Sequence, residues 1–322
     1  MQRLHEYGQG HVLAGWDRLN ESGRRELLAQ LHALDLEQLR NLYAKRDHAV
    51  QLPSPERIAP VPVIGIASDP REPRRLGEDS LGRGEVAVLL VAGGQGTRLG
   101  FDHPKGMFPI GPVSNKSLFQ LHAEKVLATS RRYGKPVPFL VMTSPATDAE
   151  SKEFFTEHQY FGLPARDVHF FCQGTMPALD LATGKLLMET PGRLFTSPNG
   201  HGGTLTALSD SGLLDQVRDR GIRQIFYFQV DNPLVKVADP IFLGHHLKAG
   251  AEVSSKIVPK ETPMDKVGNM VLVDGRCSII EYSDLPKELA EQRDENGKLR
   301  IWAGSPAIHY FAVDFLERVT RG

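Results

Sequence analysis

The stretch VAVLLVAGGQGTRLG at residues 86–100 constrains this chain more than any other, because an apolar strand opens there directly into glycine. Val86, Ala87, Val88, Leu89, Leu90 and Val91 form an unbroken β-branched and aliphatic run, the pattern of a strand buried on both faces of a parallel sheet. Gly93, Gly94 and Gly96 follow at once. Residues without side chains let a ligand approach the backbone, take positive φ where a turn needs it, and aim successive N–H groups at an anion. Arg98 and Lys105 then add full positive charge, so the stretch reads as a phosphate-binding loop. Two familiar loops do not fit it. A P-loop ends in Gly-Lys-Ser/Thr, whereas Gly100 here leads into Phe101-Asp102-His103. The dinucleotide fingerprint needs a third glycine where this chain has Leu99.

Beyond the loop, strand-like and helix-like segments alternate, which predicts a doubly wound α/β sheet, mostly parallel. Helices are expected over 118–132, 147–158 and 204–220, and strands over 137–142, 168–172 and 222–230. In such a sheet the ligand crevice lies at the carboxyl ends of the strands, so the loops after Val91, Cys172 and Val230 should converge. Residues 267–273 and 276–282 flank Asp274-Gly275, a favoured two-residue turn, and predict an antiparallel hairpin. A helix over 284–293, a last strand over 299–313 and a short final helix complete the expected order. Upstream, apolar residues at helical spacing from Val12 to Tyr43 predict amphipathic helices, broken near 21–23 and 34–36, forming an N-terminal helical cap over 1–50. Prolines at 53, 55, 60, 62, 70 and 73 predict an irregular wrapping segment over 51–84, with the catalytic domain over 85–322.

With 38 basic and 39 acidic residues there is no global field to recruit nucleic acid or an acidic membrane, so any anion site must be local. The only cysteines, Cys172 and Cys277, each lie in an apolar run; they read as core residues of a cytoplasmic protein without a disulfide framework. No apolar run reaches the ~20 residues needed to span a bilayer.

The loop G-G-x-G-T-R-L, followed by Pro104-Lys105-Gly106-Met107 and then Lys116-Ser117-Leu118-Phe119-Gln120, resembles the signature of sugar nucleotidyltransferases. It looks most like the eukaryotic-type UDP-sugar pyrophosphorylases, closest to the branch that acts on N-acetylglucosamine. The resemblance implies a nucleotidyltransferase (Rossmann-like, GT-A-like) sheet. It also implies a uridylyltransferase that uses Mg2+ and joins UTP to a hexose 1-phosphate. By the same resemblance Gly93, Gly94, Gly96, Thr97 and Gly200 bind the nucleotide, and Gln173 reads the uracil edge. An amide suits that task, presenting donor and acceptor together. Arg98 would serve the β- and γ-phosphates, and Lys105 the phosphate under attack or its neighbour. Asp231, in Val230-Asp231-Asn232, would hold the metal; from the residues alone, a strand-end Asp reads more often as a turn or helix cap than as a metal ligand.

His201, Gly268, Glu281 and Ser305 fall at sugar-facing positions of the family. Two of them depart from the N-acetylglucosamine pattern, since those members carry Asn at the position of His201 and Ala-Gly-Asn where this chain has Ala303-Gly304-Ser305. A UDP-glucose or broad-specificity enzyme therefore stays open. The family continues past Gly322 with a second phosphate-binding lysine and a C-terminal domain, so a truncated catalytic domain is expected. Two other classes remain. A UDP-sugar-dependent glycosyltransferase would use Asp231 and a uridine pocket without needing Arg98 or Lys105, and a non-catalytic UDP-sugar binding module would bind UTP without turnover.

Overall fold

The computed structural model describes residues 2–46, 52–65 and 68–321, and only the backbone of His201. Two compact units emerge, one built from 1–51 with 174–199 and the other from 52–173 with 200–322. The division is not the simple succession of segments expected above. Residues 174–199 fold back as short antiparallel pairs, Thr175–Pro177 with Thr196–Pro198 and Met188–Thr190 with Arg193–Leu194. Their Leu186 and Leu194 are buried with Leu4, Val12, Leu27, Leu31, Leu36 and Leu39, so the first unit has a core of its own. Its two main helices, Glu21–His32 and Leu36–Ala44, are capped by the side chains of Asn20 and Asp35. Residues 10–13 and 16–18 form 3-10 turns instead of the expected helix, each entered next to a glycine.

The second unit is built on a six-stranded sheet: β1 (Val86–Val91), β2 (Phe139–Thr143), β3 (Val168–Cys172), β4 (Gln224–Gln229), β5 (Val253–Ser255) and β6 (His309–Ala312), in the order β5-β6-β4-β1-β2-β3. β4, β1, β2 and β3 are parallel, while β6 and β5 join antiparallel. Both faces are covered. Val86, Val88 and Leu90 point into one cluster with Phe119, Phe155 and Leu243, and Ala87, Leu89 and Val91 into another with Leu208, Leu214 and Leu316. Alternate side chains of one apolar strand thus supply two cores, which is what double winding requires.

The first cluster lies under helices α1 (Arg71–Arg83), α2 (Leu118–Tyr133), α3 (Asp148–Glu157) and α6 (Pro240–Lys248); the second lies under α4 (Thr204–Asp210), α5 (Leu213–Asp219) and α7 (Val313–Arg321). Helix α1 corrects the reading of 51–84 as irregular: Pro73 sits in its first turn, where an absent N–H costs no hydrogen bond, and Gly84 closes it in the left-handed conformation. The single helix expected over 204–220 is two, broken at Gly212 with φ +73. The strand expected over 299–313 is also two, Ala303–Ser305 and β6, parted by a turn in which Ala307 has φ +53. Only Lys287–Ala290 of 284–293 is helical.

A second, antiparallel sheet contains Ile58–Pro60, Gly268–Val273, Arg276–Ile280, Ala303–Ser305 and Val258–Pro259. Its hairpin turns at Asp274 and Gly275, both at positive φ as the sequence predicts. The cysteines are not core residues: Cys172 ends the edge strand β3, Cys277 lies on the hairpin, and both are exposed. No helix among the described residues is long and apolar enough to cross a membrane.

Candidate active site

Among the parallel strands the connection reverses direction between β1 and β4, so the crevice belongs at their carboxyl ends. Hydrogen bonds lace those ends together. Val230 N donates to Val91 O at 3.0 Å, Ala92 N to Met142 O at 2.8 Å, and Gln173 N to Thr143 O at 2.9 Å. Gly93, Gln173 and Asp231 each stand at or just past one of these bonds, so the expected convergence of three loops is realised. The loop after β2, which the sequence reading did not include, joins them: Gln95 Nε2 donates to Ala146 O at 3.2 Å, and Ser144 lies beside Gly93. The Ser144-x-x-Thr147 spacing before α3 was the available signal, since Thr147 Oγ1 accepts from Ser144 N at 3.0 Å.

The glycine loop is tightly folded. Lys105 N donates to Gly94 O at 3.0 Å and Gly96 N to His103 O at 2.9 Å. A Cβ at Gly93 would lie 2.5 Å from Gln173 Nε2, and one at Gly96 would lie 2.7 Å from Phe101 O. These positions require glycine because backbone or a buried amide occupies the space. Thr97 and Arg98 form the turn Thr97–Leu99 and are exposed. Lys105 Nζ donates to Asp231 Oδ2 at 3.1 Å. The structure thus brings Gly93 and Gln173 into contact and pairs Lys105 with Asp231, all at the carboxyl-end side of the parallel strands.

A second group lies on the antiparallel sheet. Gly268 is the register partner of Ser305, and a Cβ at Gly268 would be 3.7 Å from Glu281 Oε1 and 3.9 Å from Ser305 Cβ. Three of the four residues assigned to the sugar therefore meet. The fourth, His201, has its side chain outside the described residues; its backbone lies in the turn after Gly200, which has φ +69. Beneath the group, buried Lys260 donates through Nζ to Asn269 Oδ1, and Asn269 Nδ2 donates to Ile280 O at 3.1 Å. Burial holds the Lys260 ammonium below the usual lysine range. Sequence reasoning missed both residues, because a lysine just past a two-residue strand reads as solvated.

The arrangement defines a class: an α/β protein of the nucleotide-binding kind whose switch point carries a glycine loop, a lysine and a strand-end acid. Comparison with known proteins identifies it further. The profile of the family described as UTP--glucose-1-phosphate uridylyltransferase matches residues 41–321, and the chain belongs to that family. It is 38% identical over 336 residues to a UDP-N-acetylglucosamine pyrophosphorylase of Saccharomyces cerevisiae, covering 97% of this chain and 69% of the relative. UDP-N-acetylglucosamine diphosphorylase 2 of Arabidopsis thaliana is 37% identical over 343 residues, covering 100% of this chain and 68% of the relative. The solved UDP-N-acetylglucosamine pyrophosphorylase of Trypanosoma brucei superposes with a TM-score of 0.83 at 31% identity, covering 99% and 67% of the two chains. A UDP-glucose pyrophosphorylase of Leishmania major shares the fold, with a TM-score of 0.68 at 19% identity over 97% of this chain and 64% of that one. The chain thus spans about two thirds of the length of these relatives. The family consists of UDP-sugar uridylyltransferases, small-molecule enzymes with a general requirement for a divalent metal.

Proposed function

We propose that this chain carries the UTP and sugar-phosphate sites of a uridylyltransferase that joins UTP to N-acetylglucosamine 1-phosphate and releases pyrophosphate. The observation that carries the reading is the pairing of Lys105 with Asp231 at the strand ends, beside the contact of Gly93 with Gln173. An oxygen of the sugar phosphate attacks the α-phosphorus; the new P–O bond forms as the bond to the departing pyrophosphate breaks, in line. No covalent intermediate or strong base is needed, so the protein's task is positioning and charge neutralisation. Arg98 and backbone N–H groups of the glycine loop other than that of Gly96 meet the β- and γ-phosphates, and Lys105 the phosphate under attack. Gln173 reads the uracil edge, with Gly93 giving it room. Gly94, Gly96, Thr97 and Gly200 complete the nucleotide side.

Asp231 fits a magnesium ion. It offers one half-exposed hard oxygen donor at a phosphate site, and magnesium is held there by one or two carboxylates together with phosphates and water. When bound, such an ion supplies positive charge to the phosphate oxygens. Glu281, Ser305 and Gly268, with the 200–203 turn carrying His201, form the sugar side. The N-acetylglucosamine assignment is supported by relatives at 37–38% identity that bear that name. His201 and Ser305 keep glucose 1-phosphate as the competing substrate. A cytoplasmic location belongs to the same proposal and is supported by two exposed, unpaired cysteines.

The test is pyrophosphate release from UTP and Mg2+ with N-acetylglucosamine 1-phosphate or glucose 1-phosphate. Release with the first supports the reading, and release with glucose 1-phosphate alone moves the chain to the UDP-glucose branch. Tight UTP binding with no release from either sugar makes it a binding module. Sugar transfer from a UDP-sugar, without pyrophosphate, makes it a glycosyltransferase.

A further inference from the structure

Helix α2 holds the chain segments that carry Lys105 and Asp231 through separate contacts with their neighbours. At its start, Leu118 N donates to Phe108 O at 3.1 Å, and the Phe119 ring lies so close under Gly106 that a Cβ there would be 2.3 Å away. These contacts fix the turn Lys105–Met107. One turn further along, His122 Nε2 donates to Val230 O at 2.9 Å, and Lys125 Nζ donates to Pro233 O and, at 3.0 Å, to Val235 O. Residues 122 and 125 share a helix face, and their three acceptors bracket Asp231 in the loop after β4. The loop's own backbone bonds are longer, Asn232 N to Gln229 O at 3.2 Å and Val235 N to Asn232 O at 3.3 Å.

We infer that α2 sets the spacing between Lys105 and Asp231, with His122 and Lys125 as positioning residues for the Asp231 carboxylate. The inference rests on the reading of Asp231 as the metal-holding group. Using a lysine for this purpose is costly. The ammonium is half-buried, which holds its proton affinity below the usual lysine range, and among the described residues it faces carbonyls with no carboxylate as ion-pair partner. The gain is that two carbonyls two and four residues after Asp231 are held by one cation, and the Asp231 loop cannot drift from α2. His122 is buried and neutral, with the proton on Nε2 because the acceptor is a carbonyl. Outer-shell partners of this kind are worth ~10–100-fold in metal affinity or activity.

The experiment measures UTP binding by calorimetry with and without Mn2+, together with kcat, in Lys125→Met, Lys125→Arg and His122→Gln, each alone and combined with Asp231→Asn. Lys125→Met should raise the Mn2+ concentration for half-maximal enhancement of UTP binding by ~10–100-fold while leaving metal-free UTP affinity within about twofold. Lys125→Arg, which keeps donors, should recover most of the loss. In the Asp231→Asn background Lys125→Met should add nothing, since its effect runs through that carboxylate. If Lys125→Met does not fold, His122→Gln carries the same cycle. Additive losses, or equal loss of metal-free UTP binding, overturn the inference even in an active enzyme. A wild-type chain that binds Mn2+ with UTP but does not turn over removes the catalytic reading alone, and the binding cycle still decides the positioning role. A wild-type chain with no metal-dependent UTP binding overturns both.

Discussion

The ammonium of Lys105 lies 3.1 Å from a carboxylate oxygen of Asp231, so the two groups assigned to a triphosphate and its metal neutralise each other across the mouth of the crevice. Their side chains are 26% and 51% exposed. A pair this solvated contributes ~0–1 kcal/mol and is easily exchanged for stronger partners. An incoming phosphate can therefore draw Lys105 away and free Asp231 at little cost. The pair keeps both side chains in place without committing them to each other.

Lys105→Ala should accordingly cut turnover far more than stability. Loss of one preorganised donor to developing charge costs ~3 kcal/mol, on the order of 100-fold or more in kcat. The melting temperature should change by only about 2 °C, because the pair it removes is largely solvated. Steady-state kinetics beside a thermal melt checks this. Near-normal turnover would remove Lys105 from the phosphate site.

Gly93→Ala tests the base side. Its Cβ would be placed 2.5 Å from the buried amide of Gln173, which must then shift. Overpacking of this kind costs about 1–3 kcal/mol, and here it should appear mainly as weaker UTP binding, by ~10-fold or more. Gln173→Ala in the Gly93→Ala background should restore the space without restoring uracil selectivity. Calorimetric titration with UTP and CTP separates the two effects, and a Gly93→Ala protein that binds UTP like wild type would place the base elsewhere.

The glycine loop and β1 are legible because one apolar run and three glycines carry them locally. Strand 168–172 was legible at its true bounds, since Val-His-Phe-Phe-Cys is flanked by polar Asp167 and Gln173. What escaped was set by contacts far apart in sequence. Lys125 reads as a solvated helix lysine, and its carbonyl partners stand 108 and 110 residues away. Gly268 and Ser305 meet through strand register, which no periodicity announces; only family resemblance had grouped them. The helix over 71–83 is masked in the sequence by Pro70 and Pro73, whose place before and within its first turn only the structure shows, and Gly212 breaks 204–220 at positive φ.

Two buried histidines predict acid sensitivity. Burial holds His122 and His246 down to about 4, against 6.5 for an ordinary imidazole. Protonation therefore favours the unfolded chain. Stability from their neutral burial is whole above about pH 6.5, declines as pH falls through the interval, and is gone below about pH 4, with each site contributing on the order of 3 kcal/mol. His246 is held by Ser254 Oγ at 2.8 Å and Gln224 Oε1 at 2.9 Å, on the side of β4 away from the Asp231 loop. His246→Gln should flatten the slope of unfolding free energy between pH 6.5 and 4, as read by denaturant titration. An unchanged slope would mean that other groups carry it.

Helices α1 and α6 cross in backbone contact, and two glycines make that possible. A Cβ at Gly77 would stand 2.0 Å from Pro240 O, and one at Gly244 would stand 1.7 Å from Pro73 O. Neither acceptor is a side chain that can swing aside, so the helices must separate, opening the layer over Leu81 and Leu243. Gly77→Ala should destabilise the protein by ~3 kcal/mol or more, at or beyond the usual upper range for overpacking. Gly82 lies in the same helix with nothing within 4 Å of its would-be Cβ. Gly82→Ala should stabilise by ~0.5–1 kcal/mol, the ordinary gain of alanine over glycine inside a helix. Opposite signs for one substitution five residues apart are the expected outcome in urea unfolding; the same sign at both sites would mean that α1 does not pack on α6 at Gly77.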